Sequence, residues 1–216
     1  MKYIGKYAVL LSLISVCSSQ VLAGWEKEKE EKDMSAECQI HKSGYKYCKI
    51  LAVTDYSMAE LVGINTDPDN LFAWMDTVKS SEQVEHKSDI DYVNCMKYTI
   101  PYPFNDRESC TRSKITLNEE KTEVKIEFKS VKLFVDNFDL DNMEYIFGYW
   151  KFTSLENGRN QIEYATIVLP GGNLVPILYN TKALDVPWDT VNNMFKVLKT
   201  GKYKDIEISF LNNNKM

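Results

Sequence analysis

Glu123-Val124-Lys125-Ile126-Glu127-Phe128-Lys129 alternates without a break: Val124, Ile126 and Phe128 are apolar, and every neighbour is charged. Period two is the mark of a β-strand, because successive side chains leave opposite faces of the pleat. One face of this strand is therefore buried and the other is wet. Working outward, the chain reads as β-structure from about 79 to 169. The clearest strands are 90–100, with Tyr92, Asn94, Met96, Tyr98 and Ile100 on one side, then 107–117 and 122–130. Strands at about 143–154 and 160–169 follow, joined by Asn157-Gly158, a strong hairpin turn.

Further upstream, β-like runs at 34–41 and 45–54 flank Lys42-Ser43-Gly44, where Gly44 can take the positive φ of a hairpin turn. Between this hairpin and the long β region the spacing changes. Met58, Leu61, Val62 and Ile64 recur at helical intervals, and Asp67-Pro68 opens a second short helix carrying Leu71, Phe72, Trp74 and Met75. Downstream, Leu178, Leu184, Val191, Met194, Phe195 and Leu198 predict a long helix over about 176–200, which Pro187 should kink or divide. In the tail Ile206, Ile208 and Phe210 alternate like a strand before Asn212-Asn213-Asn214. Helices segregated from a run of antiparallel strands make the class α+β. A long helix across a curved sheet encloses a space. No repeat or long linker divides the chain.

The N-terminus reads as a secretory signal over 1–23: Lys2 and Lys6, an apolar run from Ala8 to Val16, and Val21-Leu22-Ala23 before Gly24. The run is too short to span a bilayer, which needs about 20 residues. Cys17 follows Val16 rather than a small residue, so it is read as part of the removed segment and not as a lipid attachment site. Removing 23 of the 216 residues leaves 193 and shifts the net charge from −5 to −7, since the segment carries two lysines and no acid. Such a balance excludes a nucleic-acid partner, which needs a concentrated basic face. The charge run Glu26 to Asp33 predicts a short solvated N-terminal helix over 24–33.

Four cysteines then remain, Cys38, Cys48, Cys95 and Cys110, an even number that suggests two disulfides in an exported protein. A three-residue loop at 42–44 sets His41 against Tyr45, and continuing that register sets Cys38 opposite Cys48. A four-residue loop at 101–104 sets Ile100 against Asn105 and, by the same count, Cys95 opposite Cys110. Opposed Cβ atoms lie about 4.5–5.5 Å apart, within reach of a disulfide after modest adjustment. No Cys-x-x-Cys pair exists, and His41 and His86 have no ligand-like spacing to the cysteines, so no metal is expected.

Two stretches say more: Ile100-Pro101-Tyr102-Pro103-Phe104-Asn105-Asp106-Arg107-Glu108, and Leu169-Pro170-Gly171-Gly172-Asn173-Leu174-Val175-Pro176 leading to Asn180. Together they resemble the START-like family, the steroidogenic-acute-regulatory-related lipid transfer domains, and especially its bacterial exported members. Trp74 and Gly148-Tyr149-Trp150 share the resemblance, which covers residues 34–203 and leaves 204–216 as a tail. Glu108 stands where the family usually has Asp, and Pro176 lies one residue late with Ile177 in place of a common tryptophan. The resemblance implies a helix-grip fold, a curved antiparallel sheet wrapped around the C-terminal helix with a hydrophobic tunnel between. It also implies an apolar ligand such as a lipid or sterol, in an exported, periplasmic or secreted monomer that makes transient membrane contact. An aromatase- or cyclase-like enzyme on the same fold is the alternative, and an envelope protein with a vestigial cavity is another.

The candidate ligand-binding residues are Tyr98, Arg107, Tyr149, Trp150, Tyr164 and Met194, with Phe152 beside them. The aromatic side chains offer an apolar body with a polar tip. Arg107 reads either as a buried cation at the end of the pocket or as a structural ion pair with Asp106, Glu108 or Glu163, and a buried Arg must be paired in both cases. Gly171-Gly172 lacks the Lys-Ser/Thr of a phosphate loop, so a tight turn steering the last helix is preferred. No nucleophile has a positioned base, so neither an enzyme nor a cofactor is expected.

Overall fold

Residues 24–132 and 141–212 are described by the computed structural model. The expected signal sequence at 1–23 and the last residues of the tail, 213–216, lie outside them. In chain order, β1 (Glu26–Glu31), β2 (Met34–Ile40) and β3 (Lys46–Thr54) lead to α1 (Met58–Asn65) and a 3₁₀ helix (Pro68–Ala73). Four strands follow: β4 (Val78–Ser88), β5 (Asp91–Tyr98), β6 (Arg107–Leu117) and β7 (Glu123–Val131). After these come the two-residue β8 (Asp141–Asn142), then β9 (Tyr145–Ser154) and β10 (Asn160–Leu169). The described residues end on helices α2 (Pro176–Tyr179), α3 (Asp185–Leu198) and α4 (Ser209–Asn212).

Nine strands form one antiparallel sheet in the order β1-β2-β3-β10-β9-β7-β6-β5-β4, and β8 pairs in parallel with the start of β6. The alternating stretch that opened the sequence is β7, near the middle, with Val124 and Ile126 fully buried on the inner face. α3 packs across β3 and β10 on that face, and α1 packs on β9. The helix buries Trp188, Val191, Met194 and Leu198, which recur at helical spacing. Burying each such side chain stabilises the fold by about 1.5–3 kcal/mol.

Both hairpin registers are those the loops predict. Cys38 faces Cys48 and Cys95 faces Cys110. Both pairs are disulfide-bonded, with Cα atoms 4.1 and 3.9 Å apart. Because Cβ atoms alternate, the first bridge lies on the inner face with Ala36 and Ile50, while the second lies on the outer face with Val93 and Val131.

Three local expectations are corrected. Residues 24–33 are not a helix: Glu26–Glu31 is an edge strand, β1, paired with β2, so the sheet begins before residue 34. A run of Glu and Lys has no apolar stripe for a helix to bury, whereas an edge strand can be charged on both faces. The C-terminal helix is divided, but not at Pro187. The break falls at 180–184, and Pro187 lies in the first turn of α3, where a helix has no use for the missing N–H. The alternation at 206–210 is not a strand; Ile208 is buried beside a one-turn helix, α4, that starts at Ser209.

The second short helix is a 3₁₀ turn, and Asp67 does not cap it with its side chain. The Asp67 carboxylate instead accepts hydrogen bonds from Asn70, from the Tyr203 hydroxyl (2.8 Å) and from Lys202 (3.3 Å), which ties the C-terminal segment to this turn. α1, by contrast, has a full capping box: Ser57 Oγ accepts from the Glu60 N–H, and Glu60 accepts from the Ser57 N–H.

Candidate ligand cavity

A cavity of about 500 Å³ lies between the inner face of the sheet and the segment from α2 to α3. Its floor comes from β5, β6, β7, β9 and β10, because inward-facing residues alternate along each of these strands. The centre of the floor is aromatic. The Trp150 and Tyr164 rings stack at 3.8 Å between centroids, and Trp74 meets Trp150 edge-on at 5.7 Å. This packing explains Gly148: a Cβ there would collide with the Ala165 carbonyl and the Phe128 ring, so only glycine lets that ring cross β9.

The mouth is marked by lining residues that also meet solvent. Tyr102, in the loop between β5 and β6, is 96% exposed, and Leu178 on α2 is 51% exposed. Ile177 beside it is also exposed. Asp76 and Lys182 line this end as well. Burial pushes the Asp76 carboxyl upward, and the Asp189 and Asp185 charges across the rim add to the effect. Lys182 is paired with Asp185 at 2.9 Å.

Of the residues singled out in the sequence, Tyr98, Trp150 and Tyr164 line the cavity. Burial raises the Tyr98 and Tyr164 hydroxyls well above the ordinary tyrosine range. Tyr149 is the neighbour of Trp150 on β9 and therefore leaves the opposite face, where its hydroxyl bonds Glu163. Met194 is fully buried against Asn65 in the core between α3 and α1, and Phe152 stacks on Trp150 on the same inner face of β9, outside the lining. Arg107 is buried outside the lining. Its guanidinium donates to the carbonyls of Asn105 (3.1 Å), Asp106 (3.4 Å) and Pro170 (3.4 Å), and it packs against Gly172. Arg107 therefore joins the β5–β6 loop to the Pro-Gly-Gly turn, and Gly171 and Gly172 hold that turn with φ of 71° and 60°.

Two features lay beyond the sequence reading. One is the polar strip of the floor: Asn94 faces Thr111 and Tyr92 faces Ser113 across β5 and β6, and all four line the cavity. Polar residues at inward positions of alternating strands were the available signal. The other is a clamp on α2. Asn180 accepts from the Lys46 N–H (2.8 Å) and donates to the Gly44 carbonyl (2.9 Å), while the Tyr45 hydroxyl donates to the Leu174 carbonyl (2.9 Å). The β2–β3 turn thus holds the cavity's covering segment from more than 120 residues away in sequence.

No family model matches the chain, and no curated protein matches it in sequence. Solved structures do match. A STAR-related lipid transfer protein from Xanthomonas axonopodis superposes with a TM-score of 0.74 at 15% identity, over 82% of this chain and 99% of that one. Human StAR-related lipid transfer protein 5 gives 0.72 at 12% identity, over 84% and 89%. The Zhui aromatase/cyclase from Streptomyces sp. R1128 gives 0.52 at 10%, over 74% and 97%. The chain therefore has the START-like, helix-grip α+β fold, with a curved antiparallel sheet and one long C-terminal helix.

Proposed function

We propose that this protein binds a lipid or a similar apolar small molecule in its internal cavity, and carries or senses it in the cell envelope. The carrying observation is the cavity itself: about 500 Å³, floored by aromatic and aliphatic side chains, with exposed apolar residues at its mouth. That volume lies within the range of small-molecule sites. Ten buried methylenes contribute about 8 kcal/mol, at about 0.8 each, against about 1 kcal/mol for a single hydrogen bond. Apolar area therefore dominates selection. The two disulfides fit an oxidising compartment, as export requires. No helix among the described residues is long and apolar enough to cross a membrane.

Movement of the cover would widen the mouth for an entering ligand. The segment from Gly171 to Leu184 is the candidate gate, with the Gly171-Gly172 turn as one pivot and the break at 180–184 as the other. α3 stays packed through Val191, Met194 and Leu198. Catalysis has no comparable support: burial raises the hydroxyls of the lining residues Tyr92, Tyr98, Tyr164 and Tyr179 further above the pH range in which an acid or base works, and keeps them protonated.

Native mass spectrometry tests the proposal directly. The protein incubated with vesicles of phosphatidylethanolamine and phosphatidylglycerol and then re-isolated should carry a bound lipid mass. A protein that stays ligand-free there, and that also takes up no fatty alcohol or sterol, would refute it.

A further inference from the structure

The floor of the cavity holds a polar group that the fold leaves without a partner. Asn94 is 4% exposed, lines the cavity from β5, and its carboxamide oxygen, Oδ1, is buried with no hydrogen-bond partner among the described residues. Such a group is rare in a folded protein, since a buried amide left unpaired costs about 1–3 kcal/mol. Thr111 faces it directly on β6 and is 2% exposed, with Ser113 and Tyr92 one pair further along the same strip. All four side chains are neutral. Among the described lining residues the only carboxylate and the only ammonium are Asp76 and Lys182, at the mouth rather than on this wall.

We infer that the ligand carries an uncharged group that both donates and accepts a hydrogen bond, a hydroxyl or an amide, lodged between β5 and β6 against Asn94 and Thr111. This rests on reading the cavity as a lipid site and specifies which lipids it takes. A carboxamide has a donor and an acceptor on one planar end, and a hydroxyl or an amide answers both. A carboxylate or phosphate offers the Asn94 Oδ1 no proton. It would also bring a charge to a wall where no described lining residue provides a counter-charge, which is far costlier than an unpaired amide. Arg107, the cation that the sequence offered as an anchor, turns its guanidinium to backbone carbonyls of the two loops and lies outside the lining.

The test compares three probes with one chain and different ends: 1-dodecanol, dodecanoate at pH 8 and 1-chlorododecane, each competing with a fluorescent apolar dye. The wild-type protein should bind dodecanol at least tenfold more tightly than either of the others. Asn94→Leu should cut dodecanol affinity about tenfold, leave chlorododecane unchanged and raise the melting temperature of the empty protein. Thr111→Val supplies the same comparison should the first variant fail to fold, with a smaller loss for dodecanol. Equal binding of all three, tighter binding of dodecanoate, or a dodecanol preference that survives both substitutions would overturn the inference while leaving the cavity a lipid site. Failure of every probe to bind would overturn the lipid-site reading, and this one with it.

Discussion

Asn180→Ala tests the gate where its geometry is best defined. The substitution removes two hydrogen bonds between the covering segment and the β2–β3 turn, at 2.8 and 2.9 Å. Each is worth about 1 kcal/mol net, and both backbone partners are only half-buried, so water can replace the lost groups. The closed position should lose about 2 kcal/mol, which by 1.4 kcal/mol per tenfold is roughly a 30-fold rise in opening. Tyr45 still holds Leu174, and α3 is untouched, so the added opening should stay local. Transfer of a fluorescent lipid between vesicles, or its release on dilution, should therefore quicken by up to that factor. Global stability in urea should fall by no more than those roughly 2 kcal/mol, and the Lys46 amide should exchange its hydrogen faster than the amides of α3. Asn180→Asp keeps the acceptor for Lys46 and should fall between the two. Faster exchange at Lys46 with unchanged lipid release would show that the segment opens but is not the gate. Lys46 exchange that stays at the free energy of global unfolding would show that the segment opens only when the whole domain does.

Three other expectations follow from the same structure. Removing either disulfide as a double Cys→Ala variant should cost about 3 kcal/mol in urea unfolding, from loops of 10 and 15 residues; unreduced peptide maps should show Cys38 with Cys48 and Cys95 with Cys110, and a Cys38–Cys95 peptide would contradict the register. Gly148→Ala forces a methyl into the Ala165 carbonyl and the Phe128 ring, so it should lose at least about 1–3 kcal/mol and weaken ligand uptake; wild-type stability would show that β9 can shift. Burial alone would raise the Asp67 carboxyl, but hydrogen bonds from Asn70, Tyr203 and Lys202 hold it below the ordinary range. A depressed carboxyl stabilises the fold above its unfolded pKa of about 4 and loses that contribution as pH falls through the depressed value. Asp67→Asn should accordingly flatten the acid limb of a stability-against-pH curve, and an unchanged limb would refute the role given to Asp67.

Much of this architecture is legible in one dimension. Alternation in 123–129 and 90–100 reports which side chains share a face, and short turns such as Lys42-Ser43-Gly44 set how far one strand slides on the next. Face and register together placed the two disulfides, because a residue opposite another in an antiparallel pair has nowhere else to go. The Pro-aromatic-Pro and Pro-Gly-Gly stretches marked the two loops that now flank the cavity's outer end.

Tertiary structure decided the rest. Glu26–Glu31 is a strand because β2 offers it an open ladder, a fact about a neighbour that no local pattern contains. The last helix breaks before Pro187 because Asn180 is held by a turn more than 130 residues away, and Pro187 then costs nothing in the first turn of α3. Tyr149 and Trp150 are equally aromatic in sequence, yet strand geometry sends them to opposite faces. Arg107 looked like the anchor and Asn94 did not, since charge is visible in a sequence while the absence of a partner is not. Whether a buried polar group is satisfied depends on every element packed around it, and only the folded chain brings those elements together.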